Sequence, residues 1–179
     1  INLEGEAEKT LDNINSEFFA LKPTDFIGVF PKLVHKEGDE VKAGTVVFYD
    51  KYREDILFTS PVSGTITEVK RGPKRRMDEI RIQANGKAEY ESFKVADPKN
   101  LSREEITELL RKSGIWPCIR QRPYSIIAKP GDNPKAIFIS AFDSSPLVID
   151  YDFIVHGKGD IFQKGLDAIT KLTSGKVHL

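Results

Sequence analysis

The sequence predicts an α+β chain of more than one domain: a small antiparallel β sandwich or barrel, then an α/β part. Two observations carry this. From Phe26 to about Val95, short runs of β formers alternate with turn residues, the spacing of an all-β module. After Ala96-Asp97-Pro98 the pattern changes to helical periodicity and then to one continuous apolar run. The length, 179 residues, allows one large domain or two small ones with a real core.

Residues 1–20 are polar and acidic, with weak periodicity. "FFALKPTDF" introduces the first ordered element, and residues 21–95 are read as the β domain. Its expected β runs are "FIGVF" before Pro31, "TVVFYD" after Gly44, "DILFTS" before Pro61, "GTITEVKR" from Gly64 and the alternating "DEIRIQA". Asn85-Gly86 is the strongest two-residue hairpin signal in the chain. It predicts a further strand, "AEYESFKV", anchored by Tyr90, Phe93 and Val95. Residues 96–114 are a linker and a packing helix. Ser102 and Glu105 form a capping box, Ile106, Leu109 and Leu110 share one face, and Gly114 closes the helix.

From 115 to 179 the reading is α/β. "KAIFISAFD" is expected as a strand buried on both faces. "SPLVIDYDFIV" holds a short helix or strand, "GDIFQKGLDAITKLTSG" is helical, and "KVHL" begins a strand. So few elements leave a sheet face uncovered, and the chain starts at Ile1. The expectation is a fragment of a longer protein, cut inside its second domain.

Lys+Arg and Asp+Glu are both 27, so charge gives no reason to expect nucleic acid. The single cysteine, Cys118, cannot make an internal disulfide and falls short of a zinc or iron–sulfur site, which suits a reducing compartment. His35, His156 and His178 are scattered without metal spacing. The longest apolar run, Ala136 to Phe142, is too short to span a bilayer.

"EGDEVKAGTVVFYDK" followed by "SPVSGTI" resembles the text of biotin- and lipoate-carrying domains. Gly38 and Gly44 permit turns of positive φ, and Asp39 bonds its own backbone there. The resemblance implies a β barrel-sandwich hybrid and raises Lys51 as an attachment lysine. In biotinyl domains the modified lysine lies between two methionines. Counting back from Gly64 puts that position near Arg53, and the one methionine in the chain is Met77. The acidic hairpin signature of lipoyl domains is also missing. The scaffold is that of a carrier; the attachment site is not.

Three segments in order, the carrier-like block with "FTSPVSGTITEVKRGPKRR", then "SGIWPCIRQRPYSIIA", then "AIFISAFDSSPLVID", resemble the A-subunit family of bacterial sodium-translocating NADH:quinone oxidoreductases. The middle block is the most specific, since neither packing nor turn chemistry requires it. The resemblance covers roughly Leu21 to Leu179. It implies a barrel-sandwich hybrid followed by the start of a Rossmann-like α/β domain, at the cytoplasmic face of the inner membrane, in a peripheral subunit of a complex that passes electrons from NADH to quinone and exports sodium. The partners implied are the other subunits and quinone. NADH, flavins and iron–sulfur centres belong to those other subunits, so this fragment is expected to bind no cofactor and to be inactive alone, with quinone binding possible in the full-length subunit.

Related flavin-binding subunits, including the C subunit of Rnf-type electron-transport complexes, carry a glycine-rich phosphate loop after the linker helix. Here "IWPCIRQRPY" stands in its place, with no glycine and with Pro117 and Pro123 removing two donors. "HGKGD" at His156 lacks the third glycine of the fingerprint. Trp116, Arg120, Arg122 and Phe142 are the residues a quinone vicinity would use. Core packing is the competing role of Trp116, Phe142 and Tyr124. The two arginines could instead fasten the domain junction to carboxylates such as Asp143. "RGPKRRM" reads as a solvated hairpin tip, or as a docking contact for an acidic partner subunit or lipid headgroups. The competing functions are a carrier module modified at Lys51 and an Rnf-type flavin subunit. Intact-mass measurement separates the first: the unmodified mass is expected, and a biotinyl or lipoyl adduct on Lys51 would select the carrier.

Overall fold

The computed structural model describes residues 8–13, 15–145 and 148–179. Part of the polar N-terminal segment (1–7 and 14), and residues 146 and 147 within "SPLVIDYDFIV", lie outside the described residues. The first half is a two-sheet antiparallel sandwich. One sheet runs in the order β1 (Phe18–Leu21), β7 (Met77–Ala84), β6 (Gly64–Arg71), β3 (Glu40–Val41). The other runs β2 (Pro31–Leu33), β4 (Val46–Asp50), β5 (Arg53–Thr59). Alternation along β4 to β7 turns Val47, Phe48, Ile56, Phe58, Ile66, Ile80 and Ile82 into a common core. Phe48 stacks on Phe58 with centroids 4.3 Å apart, and Phe26 meets Phe58 edge-on at 4.7 Å.

Three expectations change. "FIGVF" is not a strand: a 3-10 turn at Pro23–Asp25 and a bend at Gly28 (φ 75°) carry the chain round, and pairing starts only at Pro31. β1 begins at Phe18, inside the stretch set aside as a polar segment, because its backbone pairs with Ile80 to Gln83 of β7. That pairing explains the third change. Asn85-Gly86 does turn the chain (Gly86 φ 71°), but a hairpin strand there would need the edge of β7 that β1 holds. "AEYESFKV" is instead captured by the loop before β4. Ala43 N donates to Glu89 O at 3.0 Å, Glu91 N donates to Ala43 O at 2.8 Å, and Ser63 Oγ accepts from Glu89 N at 3.1 Å. The proposed anchors Tyr90, Phe93 and Val95 are all exposed.

The linker helix is α1 (Arg103–Lys112). Its capping box is complete: Glu105 N donates to Ser102 Oγ at 3.2 Å and Ser102 N donates to Glu105 Oε2 at 2.9 Å. Ile106 is buried, Leu109 and Leu110 are half-buried, and the helix packs on β5. Gly114 ends it at φ 72°; a Cβ there would sit 2.3 Å from Thr59 Oγ1, so the position needs glycine for conformation and for space.

A 3-10 turn (Trp116–Cys118) leads into the hairpin β8 (Arg120–Gln121) and β9 (Ile126–Ile127). Then β10 (Ala136–Phe138), α2 (Tyr151–Val155), α3 (Gly159–Thr170) and β11 (Lys176–His178) follow. β10 and β11 are parallel, joined through α3, the βαβ unit from which Rossmann-like sheets are built. The expectation of a strand buried on both faces is corrected. Regular pairing covers only Ala136 to Phe138. Ile137 packs against the core, while Phe138 is 78% exposed and stacks on His178 at 4.8 Å.

Replacing Ser102 with Ala is expected to cost about 1 kcal/mol in urea unfolding at neutral pH. The Ser102 backbone N–H, more than Lys94, holds the Glu105 carboxyl below its usual range. A depressed folded-state pKa stabilises above the unfolded pKa and loses that contribution as pH falls through the folded value. The stability gap between wild type and Glu105→Ala should therefore be widest at neutral pH and close below about pH 4.

Candidate functional site at the domain junction

The tip of the β4–β5 hairpin is built on a buried charge. Asp50, 1% exposed, accepts from Phe30 N at 3.2 Å, Tyr52 N at 3.3 Å and Arg53 Nε at 2.7 Å. Arg53 then donates through Nη1 to Ile127 O on β9, 3.2 Å away. One guanidinium thus closes the hairpin and ties it to the second half of the chain. Such an ion pair holds because the carboxylate's lone pairs are filled by several donors at once.

The 3-10 turn lies against β5, α1 and β9. Trp116, 4% exposed, donates from Nε1 to Ala128 O at 2.8 Å. Arg111 Nε donates to Asp55 O at 3.1 Å and stands 3.8 Å from its carboxylate. Arg120, opposite Ile127 in the hairpin, holds its guanidinium 5.5 Å from the Phe26 ring centroid and donates to Ser125 O at 3.1 Å. The junction is thus a buried contact of Trp116, Pro117 and Ile127 with a cationic and aromatic rim.

Trp116 is a core residue with its indole N–H committed to the backbone. Arg120 belongs to the rim. Arg122 is exposed at the hairpin tip beside Tyr124. Phe142 is 79% exposed on the segment after β10, separate from the hairpin. The structure therefore brings Trp116, Arg120 and Arg122 into one turn-and-hairpin unit. Two surface hollows lie elsewhere, about 280 Å³ beside α1 at Phe93, Leu101 and Leu109, and about 540 Å³ beside α2 at Phe153 and His156. Among the described residues neither arginine pairs with Asp143, whose carboxyl is held below its usual range by the Ser145 hydroxyl and backbone N–H. Among the described residues no cluster of His, Cys, Asp and Glu is placed to hold a metal. No helix among them is long and apolar enough to cross a membrane.

Lys51 does occupy an exposed two-residue hairpin tip, its Nζ 5.7 Å from the Tyr52 ring. Arg53, near the register position of a carrier lysine counted from Gly64, is spent on Asp50 and Ile127. Sequence reading missed this clamp. The signal was an acid and an arginine bracketing a two-residue turn between apolar runs.

The fold and junction define a barrel-sandwich hybrid module joined to an α/β unit. Residues 1–85 match the family model of the NqrA N-terminal barrel-sandwich hybrid domain, and residues 101–179 match that of the NqrA second alpha/beta domain. The chain belongs to the NqrA family, the A-subunit family of Na(+)-translocating NADH-quinone reductases. Similar proteins include the family's member from Yersinia pseudotuberculosis serotype O:1b, 38% identical over 162 residues, covering 89% of this chain and 36% of the relative. The member from Marinomonas sp. is 34% identical over 175 residues, covering 97% of this chain and 38% of the relative. The chain therefore spans little more than a third of the curated relatives it matches.

Arg53→Ala leaves a buried carboxylate uncompensated and is expected to cost about 3 kcal/mol or more in chemical denaturation. Asp50→Asn in the same background should recover part of that loss, since the uncompensated charge is then gone.

Proposed function

We propose that this chain is the part of an NqrA protein that forms a fixed, peripheral scaffold in a Na(+)-translocating NADH-quinone reductase, on the cytoplasmic side of the membrane, with the junction between its two domains facing the quinone. The observation that carries the reading is the match of both domains, in order, to the NqrA family models. The geometry agrees with it. Arg53, near the carrier register position, is a structural clamp. Where flavin-binding relatives place a glycine-rich phosphate loop, a buried Trp-Pro turn fills the space against β5 and β9. A backbone cradle needs N–H groups free to face phosphate, whereas here Cys118 N and Ile119 N donate to Ile115 O and Trp116 O, both at 2.9 Å. NADH oxidation, flavin and iron–sulfur chemistry are assigned to partner subunits, and sodium export to the assembled complex.

Quinone recognition would fall to the exposed rim, where Arg122 supplies a donor for a quinone carbonyl and Tyr124 a flat apolar face. Trp116 is the only tryptophan in the sequence, so in this part of the protein its emission reports on the junction alone. Titrating the full-length protein with a short-chain quinone is expected to give a saturable change in the part of the tryptophan emission that Trp116→Phe removes. The apparent Kd should rise about tenfold in Arg122→Ala, the loss of one charge-assisted hydrogen bond. No saturable change from the folded protein would remove quinone from this junction and leave the scaffold role alone.

A further inference from the structure

The hairpin joining β6 to β7 carries the densest positive charge in the chain, and the functions assigned above do not use it. Five of the seven residues from Lys70 to Arg76 are basic, and all five are exposed. Part of that charge is cancelled locally. Lys70 Nζ lies 3.5 Å from Glu79 Oε1, and Arg76 Nε donates to Asp78 Oδ1 at 2.8 Å. The remaining flanking carboxylate capacity goes to Arg81, which donates to Glu79 at 3.0 Å and to Glu68 at 2.8 Å. Arg71, Lys74 and Arg75 have no carboxylate partner among the described residues; Arg71 Nη1 reaches the Arg75 carbonyl at 3.4 Å.

The backbone holds this tip in a tight, closed form. Gly72 N donates to Arg76 O at 2.8 Å, and a Cβ on Gly72 would meet the Asp78 carboxylate at 2.2 Å. Lys74 and Arg75 sit at φ 56° and 60°, a left-handed conformation unfavourable for long side chains. Two neighbouring cations therefore stand in a turn that glycine or asparagine would fill with less strain.

We propose that this tip docks on the anionic phospholipid headgroups of a membrane surface. From Arg71 to Arg76 the one apolar side chain is Pro73. Protein interfaces are centred on buried aromatic or apolar anchors, whereas an anionic bilayer is held by unpaired cations alone. The setting, though not the charge count, rests on the reading of the chain as part of a membrane-bound reductase.

The test is co-sedimentation of the protein with vesicles of phosphatidylserine and phosphatidylcholine, against vesicles of phosphatidylcholine alone. Binding is expected only with the anionic lipid and should fade as salt rises. Lys74→Asn/Arg75→Asn should weaken it about twenty-five-fold, roughly fivefold per cation, and asparagine tolerates the left-handed turn. Lys158→Asn/Lys164→Asn removes the same charge from α3 and the residue before it, and should leave binding intact. Binding without lipid preference, or equal loss in both variants, overturns the proposal. So does absence of vesicle binding together with loss of partner-subunit co-purification in the tip variant, which would make the tip a contact for an acidic protein. Quinone titration of the tip variant keeps the readings distinct. An unchanged quinone response beside lost vesicle binding supports a membrane contact separate from the junction.

Discussion

A carboxylate taken out of water must be answered by donors, and Asp50 is answered from three directions. The loop leading into β2 supplies Phe30 N, the hairpin turn supplies Tyr52 N, and Arg53 supplies its guanidinium. These donors fix where β2 enters, how tightly β4 turns into β5, and which way Arg53 points. Because Arg53 also reaches Ile127 O, the same charge positions the hairpin of the second half. Few other sites could transmit an error so widely. A misplaced Asp50 loosens the sandwich, its tip and the junction together.

Around that clamp the chain behaves as one body with two architectures. Leu101, Ile106, Trp116, Ile127 and Leu172 belong to the same apolar cluster as Phe48 and Ile80. Gly114 lets the helix end run into Thr59, and Trp116 fills the corner with its one polar atom satisfied. Lys99 and Lys171 extend the contact to α3 through Asp167 (3.5 Å) and the Lys99 carbonyl (3.1 Å). The exposed ion pairs add little to stability; the continuity of the apolar contact carries the weight.

Much of this was legible in the sequence because it is local. Alternation in "GTITEVKR" and "DEIRIQA", the Ser102/Glu105 box and the glycine at 114 each specify structure from near neighbours, and the structure follows them. The family resemblance was legible in the block around Trp116. What failed was non-local. Asn85-Gly86 announced a hairpin, yet the edge it needed belonged to a strand more than sixty residues earlier. The apolar run from Ala136 implied two covered faces, but a run cannot say what lies on its far side. Arg53 and Arg120 became junction residues through Ile127 and Phe26, distant in sequence and invisible to periodicity. Lys51 does sit on a turn, a placement that follows from where β4 and β5 end.

The shared core has a mechanical meaning for the carrier-like half. Biotinyl and lipoyl modules deliver cargo because the whole module roams on a flexible leash, trading positional accuracy for reach. Here the segment that would be the leash, 96–114, carries a helix, α1, packed on the module it leaves, and its end is keyed into Thr59. The module has no radius of action. A module seated in this way keeps one distance and one angle to the half that follows it, as a ruler does.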